Sequence, residues 1–483
     1  MSTTEAWEPV FGKAMQNTGL VISSKVMRGL LEIAASVLLA RYLGAGDFGM
    51  YAFVIAYLGF FSIITNLGIE NILVRDISQD RQKTDRYVGT VVTMKLCLSL
   101  CAVVLACSVI SFLRYPHAIK LLAYLASLQF LLSIRSVYSG IFQANMSLFY
   151  PSLIETLSGI LKFVLYIALI IFKASIASFI VVGLAVNVCA LISLQFFSRR
   201  MVRPRLGIEP SLWKYFFRES WPLALTIIFG IILMRIDQIM LFQMKGRETA
   251  GFYAAAVQLS EAFTIIIVSF MIPLFPVMAD YYRKSSESFK EICGVSYKYA
   301  LMFVVPLALG VSILSSPIIR LVYEQKFLAS SGVLSLLIWS EVSIFFGAVL
   351  THIMVVMGKQ KLNLIFTASS ALANVVLNVI LIPPYGAKGA ALATVFSYAG
   401  ICILSLFLKI TRPYSLLGWK ALLRPLVASL VMGFYLYYTR SMLIVSVSGG
   451  VVIFFAVMLL LRGINRQDLR ILSMIFKRTA VAA

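Results

Sequence analysis

Apolar runs of eighteen or more residues follow one another from about residue 18 to about residue 461, separated only by short polar connections. Each run is long enough to cross a hydrocarbon core of roughly 30 Å as a helix. Inside that core no water satisfies a backbone N–H or C=O, so a crossing segment of this length must bond to itself as a helix. Composition agrees: 60% of the residues are hydrophobic and 13% charged, about half the charged share of a soluble domain. The expected fold class is an all-α polytopic membrane protein.

About fourteen spans are expected, near 18–43, 49–74, 87–112, 119–142, 150–172, 175–198, 219–243, 251–279, 293–316, 332–357, 363–382, 388–409, 420–439 and 443–461. The longest connections, 199–218, 280–292 and 317–331, are too short to fold separately. The first 17 residues carry Glu5, Glu8 and only Lys13, which does not read as a cleavable basic leader.

The formal net charge of +22 raises nucleic acid or anionic lipid as partners. The placement of the bases answers this. With both termini cytoplasmic, the inner segments, including the tail residues Arg466, Arg470, Lys477 and Arg478, hold 26 Lys and Arg against 10 outside. That bias fixes the orientation and accounts for most of the charge without nucleic acid.

The chain also repeats itself. Leu43–Ala52 and Lys245–Ala254 share Gly-x-Tyr-Ala at an offset of 202, as Gly49-Met50-Tyr51-Ala52 and Gly251-Phe252-Tyr253-Ala254. Leu153-Ile154-x-Thr156-x-Ser158 matches Leu364-Ile365-x-Thr367-x-Ser369 at an offset of 211. Two similar offsets in the same order imply two pseudo-symmetric six-helix lobes, 1–210 and 211–412, of equal orientation. The segment 413–483 adds a C-terminal helix pair and a cytoplasmic tail. Paired lobes of this kind enclose a central cavity, the architecture of a transporter.

Signs of covalent chemistry are missing. There is no G-x-x-x-x-G-K-[ST] phosphate loop. The two histidines, His117 and His352, have no recognisable triad partners. The six cysteines (Cys97, Cys101, Cys107, Cys189, Cys293, Cys402) lie in apolar helices with no histidine or acid at ligand spacing, so neither disulfide nor metal is expected. A membrane glycan polymerase or ligase would need a larger external loop than any here. No catalytic residue and no cofactor is expected.

Charges inside the spans carry the positive signal, because each costs on the order of 2.5–3.5 kcal/mol to insert. Five bases (Lys25, Arg28, Lys95, Arg135, Lys162) fall in the first half and Arg235 alone in the second. Arg28 lies about 15 Å into its span and Lys162 about 18 Å at 1.5 Å per residue, both near the midplane. Lys25, Lys95 and Arg135 lie nearer the cytoplasmic edge, where a long side chain can snorkel. Local ion pairs offer the plainer account: Arg28 with Glu32 one turn on, and Lys162 with Glu155 two turns back. The bases nevertheless outnumber the acids Glu32, Glu70 and Glu155, which favours a cationic cavity for an anionic group such as a phosphate. In the second half Asp237, Glu261 and Glu341 reverse the balance. Asn187, Gln195, Gln258, Asn374 and Asn378 fit interhelical hydrogen bonds better than a hydrated path.

Further residues carry a resemblance. Leu39-Ala40-Arg41-Tyr42-Leu43-Gly44 with Asp47-Phe48-Gly49-x-Tyr51, then Asn71-Ile72-Leu73-Val74-Arg75-Asp76, resemble the first two spans of the bacterial polysaccharide transporter (Wzx-type flippase) family. Pro222, Arg235-Ile236-Asp237-Gln238 and Gly251-x-Tyr253-x-Ala255-Ala256 resemble its seventh and eighth. Asn374-x-x-x-Asn378-x-x-Leu381-Ile382-Pro383 with Gly386-x-x-Gly389-Ala390-Ala391 resembles its eleventh and twelfth. The ordered set, over about residues 10–410, is shared with multidrug exporters and peptidoglycan-precursor flippases.

The resemblance implies a bacterial cytoplasmic-membrane flippase that carries undecaprenyl-pyrophosphate-linked oligosaccharide (O-antigen, capsule or exopolysaccharide units) outward by alternating access. It further implies that the last two spans form a groove for the polyprenyl tail. Its partners are then the lipid-linked substrate, membrane lipids, and a glycan polymerase with chain-length proteins, the flippase itself being a monomer. Arg28 and Lys162, with Lys25, Arg135 and Lys95, are the candidate substrate-binding residues. Asp237, Glu261 and Glu341 are the candidate ion-coupling residues. A lipid II flippase shares this chemistry; a multidrug exporter binding organic cations needs acids in the first-half cavity. Reporter fusions test the orientation: at Arg205 and Ser286 they should read cytoplasmic and at Lys326 periplasmic, and a cytoplasmic reading at Lys326 overturns the topology.

Overall fold

The computed structural model describes residues 8–439 and 442–463. Glu5 and the tail bases Arg466, Arg470, Lys477 and Arg478 lie outside the described residues. All regular structure among the described residues is helical, with no strand. The first half holds α1 (Glu8–Thr65), α2 (Ile69–Gln79), α3 (Thr84–Phe112), α4 (His117–Ser127), α5 (Arg135–Ala144), α6 (Phe149–Ile171) and α7 (Ile176–Ser198). Then come α8 (Pro210–Lys284), α9 (Ser286–Ile313), α10 (Ser315–Tyr323), α11 (Ser330–Leu337), α12 (Trp339–Val356), α13 (Lys361–Tyr385), α14 (Ala387–Phe407), α15 (Arg412–Thr439) and α16 (Leu443–Leu460).

Twelve helical stretches among the described residues are long and apolar enough to cross a membrane. Two of them, Ser23–Gln79 and Leu223–Thr264, run to 57 and 42 residues. At 1.5 Å per residue the longer is about 85 Å, far beyond one hydrocarbon core. Both contain a break where the backbone leaves the helix, at Gly44 (φ 73°, ψ 173°) and Gly246 (φ 83°, ψ 177°). That conformation is open essentially to glycine alone. The expected fourteen crossings count each of these two stretches twice. The breaks lie 202 residues apart with nearly the same backbone angles, at the offset of the Gly-x-Tyr-Ala repeat.

The described residues form two compact units, one from 8–43 and Met50–Arg235, the other from Gly44–Gly49, 236–439 and 442–463. In the first unit, Ile69 and Leu73 of α2, Val88, Val91 and Met94 of α3, Val137, Ile141 and Phe142 of α5, Leu194 of α7 and Phe216 of α8 make the main core. A second cluster joins Ala35 and Leu39 of α1 to Tyr166 of α6 and Phe179 of α7, with Tyr51 packed against it. Sequence-distant helices are thus held by apolar and small-residue packing, as expected where lipid supplies no hydrophobic drive between them.

In the second unit, α9, α12 and the end of α8 share a core of Met271, Met278, Phe289, Tyr297, Val304, Phe345 and Val349. The last two helices pack there too: Met432 and Leu436 of α15 and Phe454 and Met458 of α16 gather with Leu314 beside α9. The repeated glycines meet within this unit. A Cβ on Gly49 would strike the carbonyl oxygen of Arg247, and one on Gly251 would strike that of Ala45. Ala45 and Arg247 are themselves 202 apart, so the crossing is reciprocal.

Gly49→Val and Gly251→Val should each destabilise the protein by about 1–3 kcal/mol or more, since neither carbonyl can retreat without moving its helix. Thermal unfolding in detergent reads this. Gly400→Ala, where a Cβ meets nothing within 4 Å, should unfold like wild type. Equal melting temperatures for all three variants would remove the role given to the crossing.

Candidate functional site

The first unit gathers charge around one acid. Arg28 reaches from α1, Arg135 from the first turn of α5, and Glu155 from α6. Arg28 Nη1 donates to Glu155 Oε2 at 2.6 Å, and Arg135 Nη2 donates to Glu155 Oε1. Arg135 Nη1 also donates to Asn187 Oδ1 of α7 at 2.8 Å. The Arg28 guanidinium is 3.7 Å from Glu32, the expected i, i+4 partner. The helices approach closely because Gly159 carries no side chain; a Cβ there would lie 3.4 Å from Leu31 and 3.7 Å from the Arg28 stem.

This bridge lies in the wall shared by two cavities, both lined by Arg28, Arg135 and Glu155. The smaller, about 120 Å³, also meets Glu32, Ser158, Lys162 and Asn187. The larger, about 490 Å³, is lined by neutral polar groups from α1 (Ser62, Thr65), α5 (Ser136, Ser139, Gln143) and the 66–71 segment (Asn66, Asn71), with Glu70 and Lys95. Two guanidiniums, both donating to Glu155, thus stand at the boundary of a chamber rich in hydroxyls and amides.

A change of helix type positions this wall. Between α4 and α5 the chain tightens into a 3₁₀ segment, Leu128–Ile134. Lys95 of α3 meets it there, its Nζ donating to Ser136 Oγ at 2.6 Å and lying 3.4 Å from Glu70 Oε2. Ser99 and Ser133 hydroxyls bond at 2.9 Å. Such 3₁₀ stretches within a span often mark functional hinges.

The structure brings Arg28, Arg135 and Lys162 to one cavity and Lys95 to its neighbour; Lys25 is exposed and lines neither. Two expectations need correction. Lys95 and Arg135 do not snorkel: Lys95 is 1% exposed and Arg135 is turned to Glu155. Lys162 does not pair with Glu155, which is taken by the two arginines; it sits over the Tyr166 ring at 5.4 Å. The sequence reading missed the neutral lining. Its signal was a polar stripe, Ser136, Ser139 and Gln143 at helical spacing along α5.

In the second unit Asp237 and Glu341 are held by different partners. Asp237 of α8 is buried and accepts hydrogen bonds from Tyr253 Oη at 2.7 Å, Thr394 Oγ1 at 2.5 Å and Asn378 Nδ2 at 2.5 Å. Asn378 Nδ2 also bonds Asn374 Oδ1 at 3.0 Å, leaving Asn374 Nδ2 and Asn378 Oδ1 buried without a partner. Glu341 of α12 is buried and accepts from Ser260 and Thr264 of α8 at 3.0 and 3.2 Å. Glu261, half-buried, lies on that same stretch of α8. Among the described residues no group of three His, Cys, Asp or Glu could hold a metal.

The fold is that of a membrane transporter. It superposes on a structure described as lipid II flippase MurJ, inward closed conformation, with a TM-score of 0.77 and 17% identity, over 92% of this chain and 99% of that one. An inward-facing MATE multidrug transporter of the MOP superfamily gives 0.65 and 14%, over 85% and 98%. In sequence, the profile of the family described as polysaccharide biosynthesis protein matches residues 14–282, and that of MatE matches 222–380. The chain belongs to the polysaccharide biosynthesis protein family, within the superfamily that also holds MurJ and MATE.

Among its relatives is a "Probable low-salt glycan biosynthesis flippase Agl15" of Haloferax volcanii, 26% identical over 167 residues, 33% of this chain and 35% of that one. An uncharacterized membrane protein of Methanocaldococcus jannaschii, MJ1068, is 25% identical over 172 residues, 35% of this chain and 34% of that one. The matches thus span about a third of the length of these curated relatives.

Removing one partner from a buried ion pair costs roughly 3–5 kcal/mol, because the other charge stays behind. Lys95→Met should therefore lower the melting temperature in detergent clearly, and Lys95→Met with Glu70→Gln should recover much of the loss. A single variant as stable as wild type would mean that Lys95 does not hold the wall.

Proposed function

We propose that this protein is a flippase that moves an undecaprenyl-pyrophosphate-linked oligosaccharide across the bacterial cytoplasmic membrane, its site open to one face and then the other. The observation that carries the reading is the placing of Arg28, Arg135 and Lys162 around one intramembrane cavity, beside a chamber lined by hydroxyls and amides. A lipid diphosphate needs buried bases, and its sugars need neutral donors and acceptors. Family membership and the glycan-flippase name of the Haloferax relative support it.

The same reading includes lobes at 1–210 and 211–412 with 413–483 outside the repeat, supported by the matching breaks at Gly44 and Gly246. It takes the chain as a non-catalytic monomer with both termini cytoplasmic, delivering O-antigen, capsule or exopolysaccharide units to a polymerase and chain-length proteins. Lipid II transport is the second reading, favoured by the fold likeness to MurJ and served by the same chemistry. An organic-cation exporter fits less well, since bases outnumber acids around the small cavity.

Arg28→Gln and Lys162→Gln should each abolish surface glycan at unchanged protein level, and the structure adds Arg135→Gln to the set. In proteoliposomes, flipping of a fluorescent lipid-linked oligosaccharide should fall at least about tenfold, the loss of roughly 1.4 kcal/mol or more of binding. Full surface glycan in all three variants rejects the site.

With no ATP-binding loop in the sequence, direction comes from an ion gradient or from removal of product. Of the three acids, Asp237 is the strongest candidate for coupling. Its partners are neutral hydroxyl and amide groups, and the unsatisfied Asn378 Oδ1 beside it could serve a cation. A proton or Na⁺ gradient should accelerate flipping in wild type and not in Asp237→Asn. Glu341→Gln and Glu261→Gln measured alongside show whether the coupling lies elsewhere, and a wild-type rate indifferent to both gradients rules it out.

A further inference from the structure

Glu155 holds both guanidiniums in the way a bridging anion would. Each of its oxygens accepts from a different arginine, one on α1 and one on α5. Guanidinium donors fit carboxylate and phosphate oxygens with the same fork geometry, so one donor pair cannot serve both fully. The Glu155 side chain is 25% exposed and lines both cavities. A purely structural ion pair has no need to stand in a cavity wall.

We propose that Glu155 is a resident counter-ion, occupying the anion position between Arg28 and Arg135 until the phosphate of an incoming lipid pyrophosphate displaces it. This rests on the reading above, in which that pyrophosphate meets Arg28 and Arg135. The displaced carboxylate has a destination. Lys162 stands seven residues further along α6, on the same helix face, and lines the same small cavity. Among the described residues it has no carboxylate partner, only the Tyr166 ring.

Binding then becomes an exchange of anions. The arginines stay paired and oriented when the site is empty, which an intramembrane guanidinium requires. Affinity is lowered by the work of displacing Glu155, and the return of Glu155 drives release after the site has changed face. A carrier whose arginines were unopposed would hold a diphosphate too tightly to let it go.

The test is binding of geranylgeranyl pyrophosphate to the full chain in nanodiscs, read by calorimetry, with inorganic pyrophosphate in parallel to separate headgroup from lipid. Glu155→Gln should bind the lipid at least about tenfold tighter than wild type, yet flip lipid-linked oligosaccharide more slowly in proteoliposomes. Arg28→Gln and Arg135→Gln should bind at least about tenfold weaker. Glu155→Asp, one methylene too short to span both arginines, should also bind tighter and covers the case in which the amide variant fails to fold. If both Glu155 variants bind no tighter than wild type while the arginine variants still lose binding, the counter-ion is overturned and the anion site stands. If wild type shows no saturable binding of either pyrophosphate, both fall.

Discussion

A guanidinium inside a membrane span needs a partner or a wet cavity, and in this protein one carboxylate partners two of them. Glu155 ties α1, α5 and α6 together through Arg28 and Arg135, and Asn187 draws in α7 through Arg135. The ten-residue α5 is gripped at both of its first two positions, Arg135 by this bridge and Ser136 by Lys95. The 3₁₀ segment before it, Leu128–Ile134, sets the angle at which both side chains leave the helix. Geometry of the wall, pairing of the charges and separation of the two cavities are therefore one arrangement. A change at Glu155 alters all three.

Crossing segments, the repeat that holds the glycine breaks and the position of each charge along its helix were legible in the sequence. The medium dictates length and helicity, and Gly44 and Gly246 stand where the repeat places them. Partner choice was legible only within one helix, where spacing gives Arg28 its neighbour Glu32. Helical spacing offers Glu155 to Lys162, seven residues away, whereas the residues that take it are 127 and 20 positions distant. No periodicity rule reaches across helices. Depth alone likewise suggested that Lys95 and Arg135 would reach for the membrane edge, because snorkelling needs no partner. Glu70 and Glu155 supply partners inside, and a nearby opposite charge competes well with a distant aqueous edge. The polar lining of α5 was visible as a stripe, but the tightened segment ahead of it hides which way the stripe faces.

At positions 202 apart, the two helix–break–helix segments carry different chemistry. Within the helices that end at Gly44 and Gly246, the offset of 202 pairs Arg28 with Gly230 and Ala35 with Asp237. Where the first half has its intramembrane arginine the second has no side chain, and where the second has its buried carboxylate the first has a methyl group lining the small cavity. The repeated tyrosines follow suit. Tyr51 packs against the cluster containing Tyr166, whose ring lies under Lys162, whereas Tyr253 donates directly to Asp237. The helix–break–helix pattern recurs with nearly the same backbone angles and with different residues at these offset positions. If Arg28 and Asp237 act as proposed, the anion and the coupling ion meet different positions of the recurring pattern and do not compete for one place.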